Sequence, residues 1–158
     1  MRIERERVLR ELRRFVIGGS GVILGPPGVG KTFLLKAYCQ GLIEKGVPCL
    51  FLPIDKLGAN SEADLRTELG LQTDLASYLK SQDRETDHPP VLVVDAFDAA
   101  RSELAQRFVL GLVRRMRVAL GDRWRIIVSV RTYDVKTSAA LRDLFSPVAD
   151  EPAPFQDP

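Results

Sequence analysis

Apolar and polar positions alternate along this chain in two rhythms, one of helices and one of buried strands. Residues 2–16 put Ile3, Val8, Leu9, Leu12, Phe15 and Val16 on one broad face, with Arg5, Glu6, Arg13 and Arg14 largely elsewhere. That period predicts an amphipathic helix, and Gly18-Gly19-Ser20-Gly21 ends it. Val22-Ile23-Leu24 is a short apolar run between glycines, the pattern of a strand covered on both faces. Phe33, Leu34, Ala37, Tyr38 and Leu42 give a helix over 31–45, with Gly46 at its C-terminal cap. Residues 48–54 are the second strand. Short helices follow at 62–69 and 73–81, sharing a stripe of Leu65, Leu69, Leu75 and Leu79. Val91-Leu92-Val93-Val94 is the third strand. Leu104, Phe108, Leu112, Met116 and Leu120 predict a long helix over 100–120, 124–130 is the fourth strand, and 137–145 a last helix.

Strands alternating with helices, and apolar throughout, call for a parallel sheet covered on both faces by right-handed crossovers. The fold class is α/β. The expected domains are an N-terminal amphipathic helix (1–18), a core (19–146) and a Pro-rich tail or linker (147–158).

Composition narrows the function classes. At 158 residues with 45% hydrophobic and 28% charged, the chain can build one core and not two full domains. A formal charge of +2 is too small to imply nucleic-acid or membrane binding. Cys39 and Cys49 have no second pair beside them and read as buried, reduced thiols, not a zinc site. No apolar run is long enough for a transmembrane helix, and the charged N-terminus lacks a signal-peptide core. The expected location is cytoplasmic.

The candidate chemistry begins at Gly25-Pro26-Pro27-Gly28-Val29-Gly30-Lys31-Thr32, a full G-x-x-x-x-G-K-[ST] match between a strand and a helix. Wrapping a triphosphate in inward-pointing N–H groups needs backbone shapes that glycine tolerates. Gly25, Gly28 and Gly30 supply that freedom, and Pro26 and Pro27 stiffen the loop. Lys31 can reach the β- and γ-phosphates and Thr32 can ligate Mg²⁺. The helix after Gly30 adds its positive dipole end. The candidate nucleotide-binding residues run through Val29 to Phe33. A chance match in a chain this long is below about one per cent.

Asp95 follows four apolar residues, 64 positions after Lys31. Ligands of open parallel sheets sit at the carboxyl ends of strands, so Asp95 is a candidate Mg²⁺ ligand. The alternative is a strand-end carboxylate capping the next helix. Asp98 is a candidate to orient or deprotonate the attacking water, with an N-cap role for the helix from about residue 100 as the alternative. Arg131 closes the fourth strand. It is a candidate to sense ATP against ADP and to stabilise developing charge, or else a solvated loop arginine. Ser129 and Thr132 are weaker polar candidates on the same edge.

GVILGPPGVGKTFLLKAY, VLVVDAFDAA and RIIVSVRTYD together resemble the additional-strand P-loop ATPases, and within them the STAND and NACHT-like, AAA-related signal-transduction ATPases. The resemblance covers residues 5–145. It implies a three-layer P-loop NTPase core with a mostly parallel sheet, the fourth of four strands inserted between the first and third. It also implies ATP or ADP with Mg²⁺ as cofactors, Mg²⁺ coordination through Thr32 and Asp95, and catalytic roles for Lys31, Asp98 and Arg131. Such proteins act as nucleotide-controlled switches, by self-association or through a C-terminal lid and effector domains. Two departures matter. The family's glutamate base is replaced by Ala96 in one register and Ala99 in the other, so hydrolysis is expected to be slow. A fifth strand and a lid are not evident before residue 158, so the core reads as incomplete, with apolar surface exposed beside the first strand.

Other classes fit less well. GTPases of the Ras type need Asp-x-x-Gly and an Asn-Lys-x-Asp motif. Small-molecule kinases need a mobile arginine lid, whereas Arg114, Arg115 and Arg117 fall inside the long helix. No aromatics interleave with its arginines for base stacking. Arg142 reads as a surface residue and His88, before Pro89-Pro90, as a solvated loop residue. Two functions remain: an ATPase switch, and a nucleotide-binding regulatory module that does not hydrolyse.

Overall fold

A computed structural model describes residues 2–24, 30–97, 102–131, 135–145 and 155–156. In chain order the elements are α1 (Arg2–Gly18), β1 (Gly21–Leu24), α2 (Lys31–Glu44), β2 (Cys49–Pro53), α3 (Glu62–Leu69) and α4 (Leu75–Gln82). They continue with β3 (Val91–Asp95), α5 (Glu103–Leu120), β4 (Arg125–Val130), α6 (Val135–Phe145) and β5 (Phe155–Gln156). Among the described residues, three helices start on side-chain caps. Ser61 accepts from the Asp64 N–H, Asp74 from the Ser77 N–H and Ser102 from the Ala105 N–H. Each satisfies a donor that the first helical turn leaves open. Gly70 closes α3 in the left-handed region, at φ 68°, where a Cβ would be strained.

The strands lie in the order β2-β3-β4-β1-β5 and every pairing is parallel. β4 therefore sits between β1 and β3, with Val22 level with Val128 and Leu92 level with Ile126. Alternation along each strand feeds two cores. Val91, Val93, Ile127 and Ile23 turn to one face, where Leu12 and Val16 of α1 and Leu35, Tyr38 and Leu42 of α2 cover them. Leu92, Val94, Ile126, Val128 and Val22 turn to the other, under Leu65, Leu75, Leu79, Val109, Leu112, Met116 and Leu141. Side chains buried this completely contribute about 1.5–3 kcal/mol each. That accounts for strands that are apolar without interruption. Arg125 ties α1 to the sheet. Its Nε donates to the Val16 carbonyl at 3.1 Å and one terminal nitrogen to that of Ile17 at 3.2 Å, neutralising the carbonyl end of the helix.

Several expectations change. The sheet has a fifth strand: Phe155 and Gln156 pair with Ile23 and Leu24, so β1 is not the sheet's edge and two residues of the Pro-rich segment belong to the sheet. The long helix starts at Glu103, not near residue 100. Leu104 is exposed, and Val109 and Val113 are buried beside Leu112, Met116 and Leu120. A spacing of four overshoots the helical period by about 40° per step, so the row winds off the core-facing side. His88 is buried, not solvated. Its Nδ1–H donates to the Pro89 carbonyl at 2.7 Å, which leaves Nε2 to accept from the Tyr38 hydroxyl. Cys39 is buried and Cys49 only half-buried, both as free thiols. The adjacent Cys39 thiol, and then burial, push the Cys49 pKa up and keep it protonated.

Candidate functional site

At the carboxyl edge of the central strands, β3 and β4 end and α2 begins. Gly30 holds φ 76°, the left-handed turn that lets the chain enter α2 at its N-cap. The first N–H groups of a helix carry the positive end of its dipole. Lys31, the first residue of α2, is 8% exposed, and its ammonium donates to the Val130 carbonyl at 2.6 Å. The lysine is drawn over the end of β4.

Thr32 and Asp95, 63 positions apart, are brought together: the Thr32 hydroxyl donates to Asp95 Oδ2 at 2.8 Å. Asp95 is 1% exposed and ends β3. Its other oxygen, Oδ1, accepts from the Ser129 hydroxyl at 2.5 Å, and Ser129 Oγ in turn accepts from the Ala96 N–H at 2.8 Å. Two hydroxyls thus fix both carboxyl oxygens of Asp95. Ala96 is the one described non-glycine residue at positive φ, 57°. A left-handed alanine costs about 1–2 kcal/mol, and the Ser129 bond holds it in that shape. The turn is buried, with Ala96 3% exposed.

Arg131 follows β4, and its guanidinium pairs with Asp55 Oδ2 at 3.4 Å. Asp55 lies just beyond β2, so the pair spans the end of β3, above Asp95. Both side chains are about two-fifths exposed, at 40% and 41%. Phe33 is 60% exposed on the first turn of α2. Gly25, Pro26, Pro27, Gly28, Val29, Asp98 and Thr132 lie outside the described residues. The N-cap of α5 is Ser102, and Asp95 bonds to Thr32 and Ser129.

Ser129 and Asp55 stand out less in the sequence than in the structure. Ser129 carried a signal: it is the single polar residue in Ile126-Ile127-Val128-Ser129-Val130 and is buried at 0%. A hydroxyl kept inside a parallel strand needs a buried partner. Asp55 carried no comparable signal, because its partnership depends on β2 and β4 flanking β3.

The donor set suits a hard cation and a polyphosphate. A hydroxyl and a carboxylate converge as oxygen ligands of the kind Mg²⁺ prefers, beside a buried ammonium at the start of α2. Comparisons agree. No curated protein sequence matches the chain. Its fold is similar to a chain of Drosophila ORC bound to DNA, with TM-score 0.65 and 16% identity, covering 97% of this chain and 30% of that one. It is also similar to the Aeropyrum pernix ORC1 protein in complex with DNA, with TM-score 0.64 and 14% identity, covering 98% of this chain and 45% of that one. At such identities the likeness is one of fold, and the chain spans less than half of either neighbour. The model of the ATPase family associated with various cellular activities (AAA) matches residues 22–149, from β1 past α6 and across Lys31, Thr32, Asp95, Ser129 and Arg131. A match of that extent, on a sheet with β4 inserted between β1 and β3, makes this chain a member of the AAA family of ATPases.

Proposed function

We propose that the chain binds ATP with Mg²⁺ and works as a nucleotide-dependent switch that hydrolyses ATP slowly to ADP and phosphate. The observation that carries this reading is the 2.8 Å bond from Thr32 to a buried Asp95 whose other oxygen is held by Ser129. Thr32 and Asp95 would hold the Mg²⁺, which when bound neutralises charge on the β- and γ-phosphates. Lys31 exchanges the Val130 carbonyl for phosphate oxygens. The segment Gly25–Phe33 wraps the phosphates. Asp98 orients the attacking water and Arg131 senses the terminal phosphate once it leaves Asp55. Asp95-Ala96-Phe97-Asp98 with a strand-closing Arg131 supports a STAND- or NACHT-like type within the family. The greater length of the neighbouring structures' chains supports further domains or self-association. A cytoplasmic location belongs to the same reading; among the described residues no helix is long and apolar enough to cross a membrane.

The test is Mg²⁺-dependent phosphate release by the whole chain. The switch reading expects slow turnover that Lys31→Ala abolishes and Asp98→Asn reduces. Unchanged turnover in Asp98→Asn would remove the role given to Asp98. The buried, left-handed Ala96 favours a second reading, a module that binds nucleotide without hydrolysing it. Phosphate release no faster than in Lys31→Ala, with nucleotide binding intact, would select it.

A further inference from the structure

The amino edge of the sheet carries a pocket of about 250 Å³, walled by the end of α4, the turn from α2 into β2 and the residue before β4. Lys31 and Asp95 stand at the other end of the strands, and the five residues of β3 put about 13 Å between the two edges. Trp124 lines the pocket and is 3% exposed. Among the described residues, its indole nitrogen is the one buried side-chain nitrogen or oxygen without a hydrogen-bond partner. Folded chains rarely leave a buried donor unmatched. An indole N–H that the protein leaves unmatched beside open space calls for an acceptor in that space.

The wall around Trp124 is fixed in place. Its neighbour Arg123 donates from Nε to both carboxylate oxygens of Asp83, at 2.9 and 2.7 Å, and from a terminal nitrogen to the Arg84 carbonyl at 2.5 Å. These bonds tie the segment after α4 to the start of β4, and the Arg84 side chain lines the pocket. Leu79, 1% exposed, belongs to the same core as Trp124, and Leu50 and Tyr78 pack against that core.

The lining limits the occupant. Leu50, Tyr78 and Leu79 supply apolar surface. Trp124, Gln82 and Arg84 supply donors, and among the described residues no carboxylate lines the pocket. An acceptor on the occupant therefore meets donors and no negative charge. The volume lies below the roughly 300–1,000 Å³ of sites for drug-sized ligands, so the occupant is a single ring in size and not a nucleotide.

We propose that this pocket binds a small apolar molecule, about one ring in size, through a carbonyl or carboxylate oxygen that accepts from the Trp124 indole N–H. The site is separate from the phosphate loop and does not depend on the function proposed above.

Trp124 is the single tryptophan of the chain, so its indole N–H gives one signal of its kind in a proton–nitrogen correlation spectrum of the full chain. The probes are benzamide and benzoate, each titrated to about 10 mM, because compounds this small bind in the millimolar range. The expected result is a saturable downfield shift of the indole proton with at least one probe, unchanged in Lys31→Ala. Tighter binding of benzoate makes the preferred acceptor a carboxylate, and tighter binding of benzamide makes it a carbonyl. Leu50→Phe puts a ring into the pocket and should abolish the shift, with circular dichroism and the unfolding midpoint showing that it folds. Trp124→Phe, followed through the Leu79 methyl signals, should bind the better probe about fivefold more weakly, the value of one hydrogen bond. An indole signal that neither probe moves leaves solvent as the partner of that N–H and overturns the proposal. A shift that Leu50→Phe leaves intact, or an affinity that Trp124→Phe leaves unchanged, overturns it as well.

Discussion

Replacing Ser129 by alanine removes one hydroxyl that serves two buried groups at once. It donates to Asp95 Oδ1 at 2.5 Å and accepts from the Ala96 N–H at 2.8 Å, and Ser129 itself is 0% exposed. The lost bond to Asp95 is worth about 1 kcal/mol net, and a buried N–H left without a partner costs about 1–3 kcal/mol more. The expected destabilisation is therefore about 2–4 kcal/mol, which for a domain of this size lowers the thermal midpoint by about 5–15 °C. Reversible unfolding followed by circular dichroism, in heat and in urea, measures it. Ser102→Ala is the reference, because that exposed N-cap should cost only about 1 kcal/mol. A loss below about 0.5 kcal/mol for Ser129→Ala, the range of ordinary surface substitutions, would refute the bridging role of the hydroxyl and with it the account of how Asp95 is held.

Two further outcomes follow from other contacts. The His88 pKa is held below its ordinary 6.5, first by burial and then by Arg13, Lys45 and Arg125. The unfolded chain thus takes up a proton before the folded one, and stability should fall as pH drops below 6.5. His88→Phe should flatten that slope in urea titrations at a series of pH values, and an unchanged slope would show that His88 is not its source. Asp55→Asn should remove the ion pair that Arg131 makes with Asp55. An exposed pair is worth under about 1 kcal/mol, so stability should barely move, while ATP affinity rises about two- to fivefold; equal or weaker affinity would show that Asp55 does not hold Arg131 back.

The parts legible in the sequence are those where local pattern and global fold agree. Uninterrupted apolar runs at Val91–Val94 and Ile126–Val128 belong to strands covered on both faces, and they do form the middle of the sheet. Lys31, Thr32 and Asp95 announced themselves through spacing and strand context, and α2 and β3 bring Thr32 to Asp95. The remainder depends on pairings that no local pattern encodes. Phe155 and Gln156 form too short a strand to show a period, amid prolines. His88 has a polar neighbourhood in sequence and a buried one in space, because Tyr38 and Pro89 close over it. Ser129 acquires its role from lying on the strand beside Asp95, and Asp55 from standing across β3 from Arg131.

The central claim is that Lys31, Thr32 and Asp95 form a nucleotide–Mg²⁺ site. Calorimetric titration of ATP into the full chain, with and without Mg²⁺, tests it most directly. The account predicts one site per chain, tighter with Mg²⁺ than without, with Lys31→Ala abolishing binding and Asp95→Asn removing the Mg²⁺ dependence. Absent binding, or binding that Lys31→Ala leaves unchanged, would contradict it.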